Sequence, residues 1–255
     1  MTIISVHNRK VSYTDSGKGI PIVFLHPPGM GKAVFHNQKV LSDKYRVITY
    51  DMCGSGYSST FEEPVTIEAL SDELHAVLNQ LGVEKAIVVG YSAGCSVAQH
   101  FVISHPERSL SLLLSGGFPR VKTSLLKLEF QAGLWFTKTA PKQLADIIGT
   151  AHAKTKTERA HLVQSMIRSD PMNWHDFYQA ALTYSCLNQL SMIDIPFLAM
   201  YGQFAHYTRA HASDYQRHLK NANIAIVRHA FHELPTRKSD QLNHMIDTFI
   251  QAKVL

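Results

Sequence analysis

A serine between two glycines, where an apolar run meets a helical pattern, constrains the fold of this chain more than any other feature. The pentapeptide Gly-Tyr-Ser-Ala-Gly occupies residues 90–94, between the apolar run at 86–89 and a helical stretch at 95–104. A serine at so tight a strand-to-helix turn takes a strained backbone conformation, and the glycines beside it give room for that strain. The pattern predicts that Ser92 holds its hydroxyl above the edge of a sheet.

The residue after the serine has a predicted role of its own. The backbone amide of Ala93 comes at the start of the helical stretch, where it can stabilise negative charge developing on an oxygen. We therefore interpret Ser92 as a nucleophile and Ala93 as an oxyanion donor. The motif also occurs by chance, so a glycine-rich turn with an inert serine is the alternative.

Short apolar runs alternate with helical patterns along most of the chain. Runs that are apolar throughout are typical of strands covered on both faces, as in a parallel sheet, and they lie at residues 22–25, 47–50, 86–89, 112–114, 197–201 and 224–227. The more polar segment 3–15 favours an antiparallel hairpin at the sheet edge. Helical spacing between Thr66, a predicted N-cap, and Gly82 indicates one helix, and residues 242–250 indicate the last. The fold class is therefore α/β, with a doubly wound sheet.

One segment interrupts this alternation. Residues 119–194 contain helical material, broken at Pro141 and Pro171, and no good strand pattern. We predict a core domain made of residues 1–118 and 195–255, with residues 119–194 as a helical cap. Its apolar residues, such as Phe130 and Trp135, suit either a lid over the site or simple packing against the sheet.

Composition narrows the function classes. Hydrophobic residues make up 45% and charged residues 18%, which is typical of a globular protein, and no apolar run is long enough to cross a bilayer. A net charge of +5 without a basic stripe does not favour nucleic-acid binding. Three widely spaced cysteines and no signal-peptide pattern predict a cytoplasmic protein, and the fifteen histidines form no familiar metal-binding motif.

Two further segments complete a resemblance to the α/β-hydrolase family over nearly the whole chain. Residues 24–29, Phe-Leu-His-Pro-Pro-Gly, resemble that family's oxyanion loop, and residues 50–58 are similar to its D-x-x-G-x-G-x-S segment. The resemblance implies a mostly parallel eight-stranded sheet flanked by helices, with a cap inserted at 119–194. It also implies hydrolysis of a small-molecule substrate by a serine, with no cofactor.

In that family the general base is a histidine between the last strand and the last helix. A serine hydroxyl is a poor nucleophile until an imidazole can take its proton. His232 matches this position, and His229, nearer the strand, is the weaker candidate.

The chain departs from the family pattern in two places. The position where the resemblance places the triad acid holds Ala205, and neither Asp194 nor Asp214 occupies the expected place. In the oxyanion loop the donor position holds Pro28, which has no N–H. The second donor would then be Gly29 or Met30.

The sequence thus predicts a cytoplasmic hydrolase of carboxylic esters or related acyl compounds. A lactonase or a carbon–carbon-bond hydrolase on the same scaffold is an alternative, since a fold does not determine its chemistry. The missing acid also leaves open a catalytically weak ligand-binding or regulatory protein. The pattern carries no indication of the oligomeric state.

Overall fold

The protein is described by a computed structural model covering residues 2–255. Eight strands form one sheet in the order β1-β2-β4-β3-β5-β6-β7-β8. β1 and β2 are antiparallel to their neighbours, and the other pairs are parallel. The strands are β1 (Thr2–Val6), β2 (Arg9–Ser16), β3 (Pro21–Leu25), β4 (Arg46–Tyr50), β5 (Ala86–Tyr91), β6 (Ser109–Ser115), β7 (Phe197–Gly202) and β8 (Ala222–Val227).

Helices flank both faces of this sheet and also form the segment between β6 and β7. They are α1 (Ile67–Gln80), α2 (Gly94–Ser104), α3 (Ser124–Thr139), α4 (Pro141–His152), α5 (Lys156–Ile167), α6 (Pro171–Thr183), α7 (His206–Arg209), α8 (Ala212–His218), α9 (Leu234–Arg237) and α10 (Ser239–Lys253), with 3₁₀ segments at Lys32–Asp43, Pro106–Arg108 and Leu187–Met192. Two apolar clusters, one on each face, bury most of the strand side chains. Within residues 2–255 no helix combines the length and apolarity that crossing a membrane requires.

The predicted α/β class, the edge hairpin and the six apolar strands are confirmed. So is the cap of α1, where the Thr66 hydroxyl accepts a hydrogen bond from the Ala69 amide at 3.0 Å. One expectation is wrong: β8 is not covered on both faces, because it is the edge strand, and Ile226 is 42% exposed. Its apolar run resembles that of an inner strand, and only the pairing order distinguishes the two.

The segment between β6 and β7 is helical, with Pro141 and Pro171 at the first turns of α4 and α6. This helical insertion packs on the loops that follow β3 and β4. The Ser169 hydroxyl donates to the Gly29 carbonyl at 2.8 Å, and the Asp170 amide donates to the Gly54 carbonyl at 2.7 Å. Because both loops leave the carboxyl ends of parallel strands, the insertion lies over the edge of the sheet where Ser92 is found. The division of the chain into core and cap domains stays a prediction.

Candidate active site

Ser92 occupies the turn between β5 and α2 with a φ of 52°, a left-handed value that is rare for a residue other than glycine. Two backbone hydrogen bonds hold it there. The Ser92 amide donates to the Ser115 carbonyl at the end of β6, and the Cys95 amide donates to the Ser92 carbonyl, both at 2.9 Å. The serine is half-buried. Its strain is therefore maintained by the neighbouring strand and helix.

The two glycines of the motif are required by close backbone packing. A Cβ atom on Gly90 would lie 2.6 Å from the Cα of Cys95, and one on Gly94 would lie 2.3 Å from the Leu25 carbonyl oxygen. Both neighbours are backbone atoms, so moving them aside would distort the strand or the helix. The G-x-S-x-G spacing therefore reflects how tightly α2 folds back on β5 and β3.

The backbone amides of two predicted oxyanion donors have no acceptor among residues 2–255. One belongs to Ala93, at the start of α2. The other belongs to Gly29, in a turn where the Met30 amide donates to the Pro27 carbonyl at 3.3 Å. Because the amide of Met30 is engaged and Pro28 has none, Gly29 is the one of the two predicted second donors whose N–H is free. Its φ of 72° explains why a glycine occupies the position.

His26 ties the loop after β3 to the loop after β4. Its Nε2 accepts a hydrogen bond from the Met52 amide at 2.9 Å, and its Nδ1 lies 2.8 Å from the Pro27 carbonyl oxygen. Burial lowers the pKa of His26 to about 4, so the ring is neutral and suited to both contacts. His26 therefore shapes the loop that presents Gly29.

His232 is buried at the same corner of the sheet as Ser92. Its ring packs between Tyr91 and Tyr207, with centroid separations of 5.3 and 5.8 Å. A Cβ atom on Gly116, the residue after Ser115, would lie 2.4 Å from Cε1 of His232. By contrast, His229 is exposed. The structure thus brings His232 against Tyr91, which precedes Ser92, and against Gly116, which follows the residue that binds the Ser92 amide. The catalytic roles of Ser92 and His232 stay predictions.

The Nδ1 atom of His232 is buried and has no hydrogen-bond partner among residues 2–255. Neither aspartate considered from the sequence lies within ion-pair distance of His232. Asp214 instead pairs with Lys122 at 2.7 Å, and Asp194 is exposed. Ala205 is buried in the loop after β7. Burial, and then the nearby His152, lower the pKa of His232 to about 3. The imidazole is therefore neutral and lacks the carboxylate that would orient it.

Sequence reasoning missed a contact between the insertion and the turn that contains Ser92. The Tyr91 hydroxyl lies 2.8 Å from Nε2 of His152, the last residue of α4, and Nδ1 of His152 lies 2.8 Å from the Ile148 carbonyl oxygen. Since Nδ1 must donate to that carbonyl, Nε2 accepts from the tyrosine. Arg237, shortly after His232, donates to the Thr150 carbonyl at 3.0 Å. The end of α4 is thereby attached to the regions of both Ser92 and His232.

Two carboxyl groups, also missed, lie near these aromatic rings. Desolvation of the carboxyl group, and then the negative charge of Glu233, raise the pKa of Glu129 to about 7. The side chain as a whole is nevertheless exposed. Burial also raises the pKa of Glu233. Glu129 lies on α3, about a hundred residues from Glu233, so no local pattern could have paired them.

Known proteins resemble this chain in sequence and in architecture. A family model described as the alpha/beta hydrolase fold matches residues 20–235. The chain is 28% identical over 181 residues to the "Putative carbamate hydrolase RutD" of Caulobacter sp. (strain K31). The aligned residues make up 67% of each protein. It is 36% identical over 110 residues to the 2-hydroxymuconate semialdehyde hydrolase of Pseudomonas sp. (strain CF600), covering 40% of this chain and 38% of the relative. This and several other curated relatives are matched over less than two thirds of their own length.

Among solved structures, an esterase from Exiguobacterium antarcticum superimposes with a TM-score of 0.88. The alignment covers 98% of this chain and 99% of the esterase, at 18% sequence identity. At that identity the likeness concerns the fold alone.

Proposed function

Since the chain belongs to the α/β hydrolase fold family, we propose that it hydrolyses carboxylic esters or related acyl compounds through a covalent intermediate on Ser92. The observation that carries this proposal is the strained Ser92, with its φ of 52°, beside the acceptor-free amide of Ala93. A strained conformation persists only where its surroundings impose it, and such strain clusters at functional sites.

The proposed reaction uses groups from three loops. The Ser92 hydroxyl oxygen attacks the substrate carbonyl carbon while its proton passes to Nε2 of His232. The carbonyl oxygen becomes negative and accepts hydrogen bonds from the amides of Ala93 and Gly29. The carbon–oxygen bond of the ester then breaks, and the alcohol leaves with the proton from His232. Water attacks the acyl-serine in the same way and releases the acid.

The vacant acid position at Ala205 limits the expected rate. In serine proteases, replacing the triad aspartate lowers kcat by roughly 10⁴, although residual catalysis persists. With Nδ1 of His232 unpartnered, nothing opposes the cost of charging a buried imidazole. We therefore propose a slow hydrolase under standard ester assays.

Two other functions have specific support. The 36% identity to a 2-hydroxymuconate semialdehyde hydrolase favours carbon–carbon bond cleavage with the same serine and histidine. The unpartnered Nδ1 of His232 favours a protein that binds its ligand without turnover. The experiments below separate all three.

A fluorophosphonate probe tests the activation of Ser92 without requiring turnover. We expect one covalent adduct, mapped to Ser92 by peptide mass spectrometry and absent from Ser92→Ala. Ser96→Ala is the matched control, because Ser96 is buried four residues further along α2, where a probe cannot reach it. An unlabelled Ser92 in folded protein would contradict the proposed hydrolase and support the binding function.

A substrate panel separates the two chemistries. It comprises short and long acyl esters, lactones and 2-hydroxymuconate semialdehyde, each assayed with wild type and Ser92→Ala. We expect serine-dependent release of acid from the esters. Serine-dependent cleavage of the semialdehyde alone would replace the ester proposal with the carbon–carbon one.

The pH dependence of this activity follows from the buried state of His232. A general base acts in its neutral form, which is the form above its pKa. Because burial lowers that pKa to about 3, kcat/KM for an ester should stay nearly constant from about pH 8 down to about pH 5. An ordinary histidine would lose most of its activity over that interval. A fall centred near neutrality, measured at constant ionic strength, would contradict a buried, unpaired base.

A further inference from the structure

A cleft of about 540 Å³ lies apart from Ser92 and His232, neither of which lines it. One wall comes from β2 and β4 together with the 3₁₀ segment Lys32–Asp43, and the opposite wall comes from α5 and the residue after it. The cleft thus lies between the core of the fold and the helical insertion. Its size suits a small molecule rather than a lone ion.

Cations without carboxylate partners line this cleft. Among residues 2–255, neither Lys39 nor Arg168 has an acidic group within ion-pair distance. The two aspartates of the lining are already paired: Asp51 lies 2.5 Å from Lys32, and Asp15 lies 2.7 Å from Arg46. The lining therefore presents unneutralised positive charge.

The cleft also contains a lysine held in a fixed position. The ammonium of Lys32 donates to the Ser12 hydroxyl at 2.7 Å and to Asp51, and its side chain is only 15% exposed. An ammonium group has three N–H donors, so one remains available to a ligand. A donor already oriented by the fold loses little conformational freedom on binding.

Aromatic surface adjoins these cations. The Arg168 guanidinium lies 4.8 Å from the centroid of the Tyr57 ring, and the Lys32 ammonium lies 5.8 Å from it. Tyr13 and Phe35 contribute further aromatic surface to the lining. A planar ring can pack on such a surface while its charged substituents reach the cations.

We propose that this cleft binds a small planar organic anion, with its phosphate or carboxylate groups on Lys32, Lys39 and Arg168 and its ring beside Tyr57. Arg168 follows α5 of the insertion, whereas Lys32 and Lys39 belong to the core. The bound anion therefore bridges the two parts of the fold.

Isothermal titration calorimetry with phenyl phosphate tests the proposal, with phthalate as the carboxylate probe. We expect saturable binding that weakens as salt is added. Arg168→Gln and Lys39→Gln should each raise the dissociation constant roughly fivefold, because each removes a charge-assisted contact. Arg159→Gln is the matched control on α5: Arg159 pairs with Asp146 outside the cleft, so affinity should be unchanged.

Further titrations locate the site. Binding should be equal in wild type and Ser92→Ala, since Ser92 is not part of the cleft. Inorganic phosphate should bind more weakly than phenyl phosphate, and benzyl alcohol weakest of all. Failure of both organic anions to bind, equal affinity in the cleft variants and Arg159→Gln, or dependence on Ser92 would each overturn the proposal.

Discussion

Ala205→Asp is expected to raise ester turnover at least about tenfold, because it supplies a carboxylate at the position where the family resemblance places the triad acid. The loop that contains Ala205 already packs on the loop that contains His232, since the Phe204 amide donates to the Ala230 carbonyl at 2.9 Å. Nδ1 of His232 is buried with no partner to displace. A carboxylate there would accept a hydrogen bond from Nδ1–H of His232 and stabilise the imidazolium that forms during acyl transfer.

The pH profile provides a second measurement on the same variant. A nearby carboxylate favours the charged imidazole, so the acid limb of kcat/KM should move to higher pH than in wild type. Ala205→Asn is the matched control, because it has nearly the same shape without the charge. Unchanged turnover and pH profile in a folded Ala205→Asp protein would show that His232 takes its orientation from another group.

Gly116→Ala is expected to lower kcat/KM by about 100-fold, the loss that a misplacement of about 1 Å can produce. The added methyl group would lie 2.4 Å from Cε1 and 2.7 Å from Nδ1 of His232, so the imidazole must shift. The effect on catalysis should be seen in ester kinetics or, for slow turnover, in the rate of fluorophosphonate labelling.

Backbone strain must be separated from this displacement. Gly116 has a φ of 65°, so an alanine there is strained whatever surrounds it. Gly82→Ala is the control, because Gly82 has a φ of 63° and a Cβ atom there would meet nothing within 4 Å. Both variants should lose stability in thermal unfolding, and only Gly116→Ala should lose activity. Full activity in Gly116→Ala would argue against His232 as the base.

Much of the fold could be predicted because its signals are local. The strand positions, the Thr66 cap and the prolines that begin α4 and α6 each depend on a few adjacent residues. The strained turn at Ser92 belongs to the same class, since a buried strand and two glycines specify it within ten residues. The edge position of β8 could not be predicted, because its neighbours are determined by strand order and not by its own residues.

The residues of the candidate site also differ in whether local sequence or tertiary structure identifies them. The residues alone predicted the roles of Ser92 and Ala93. The family resemblance added His232, the missing acid at Ala205 and the missing N–H at Pro28. Only the folded chain decided that Gly29 carries the free amide, because that depends on which carbonyl the Met30 amide reaches.

The amino-acid sequence by itself determined the strand-to-helix turn and the order of the elements, since hydrophobic spacing and backbone sterics act between near neighbours. Tertiary structure alone decided the contact of Tyr91 with His152, the packing of His232 against Gly116 and the cationic cleft around Lys32 and Arg168. Each joins segments tens to more than a hundred residues apart, and their approach depends on how whole layers pack, which no local pattern encodes.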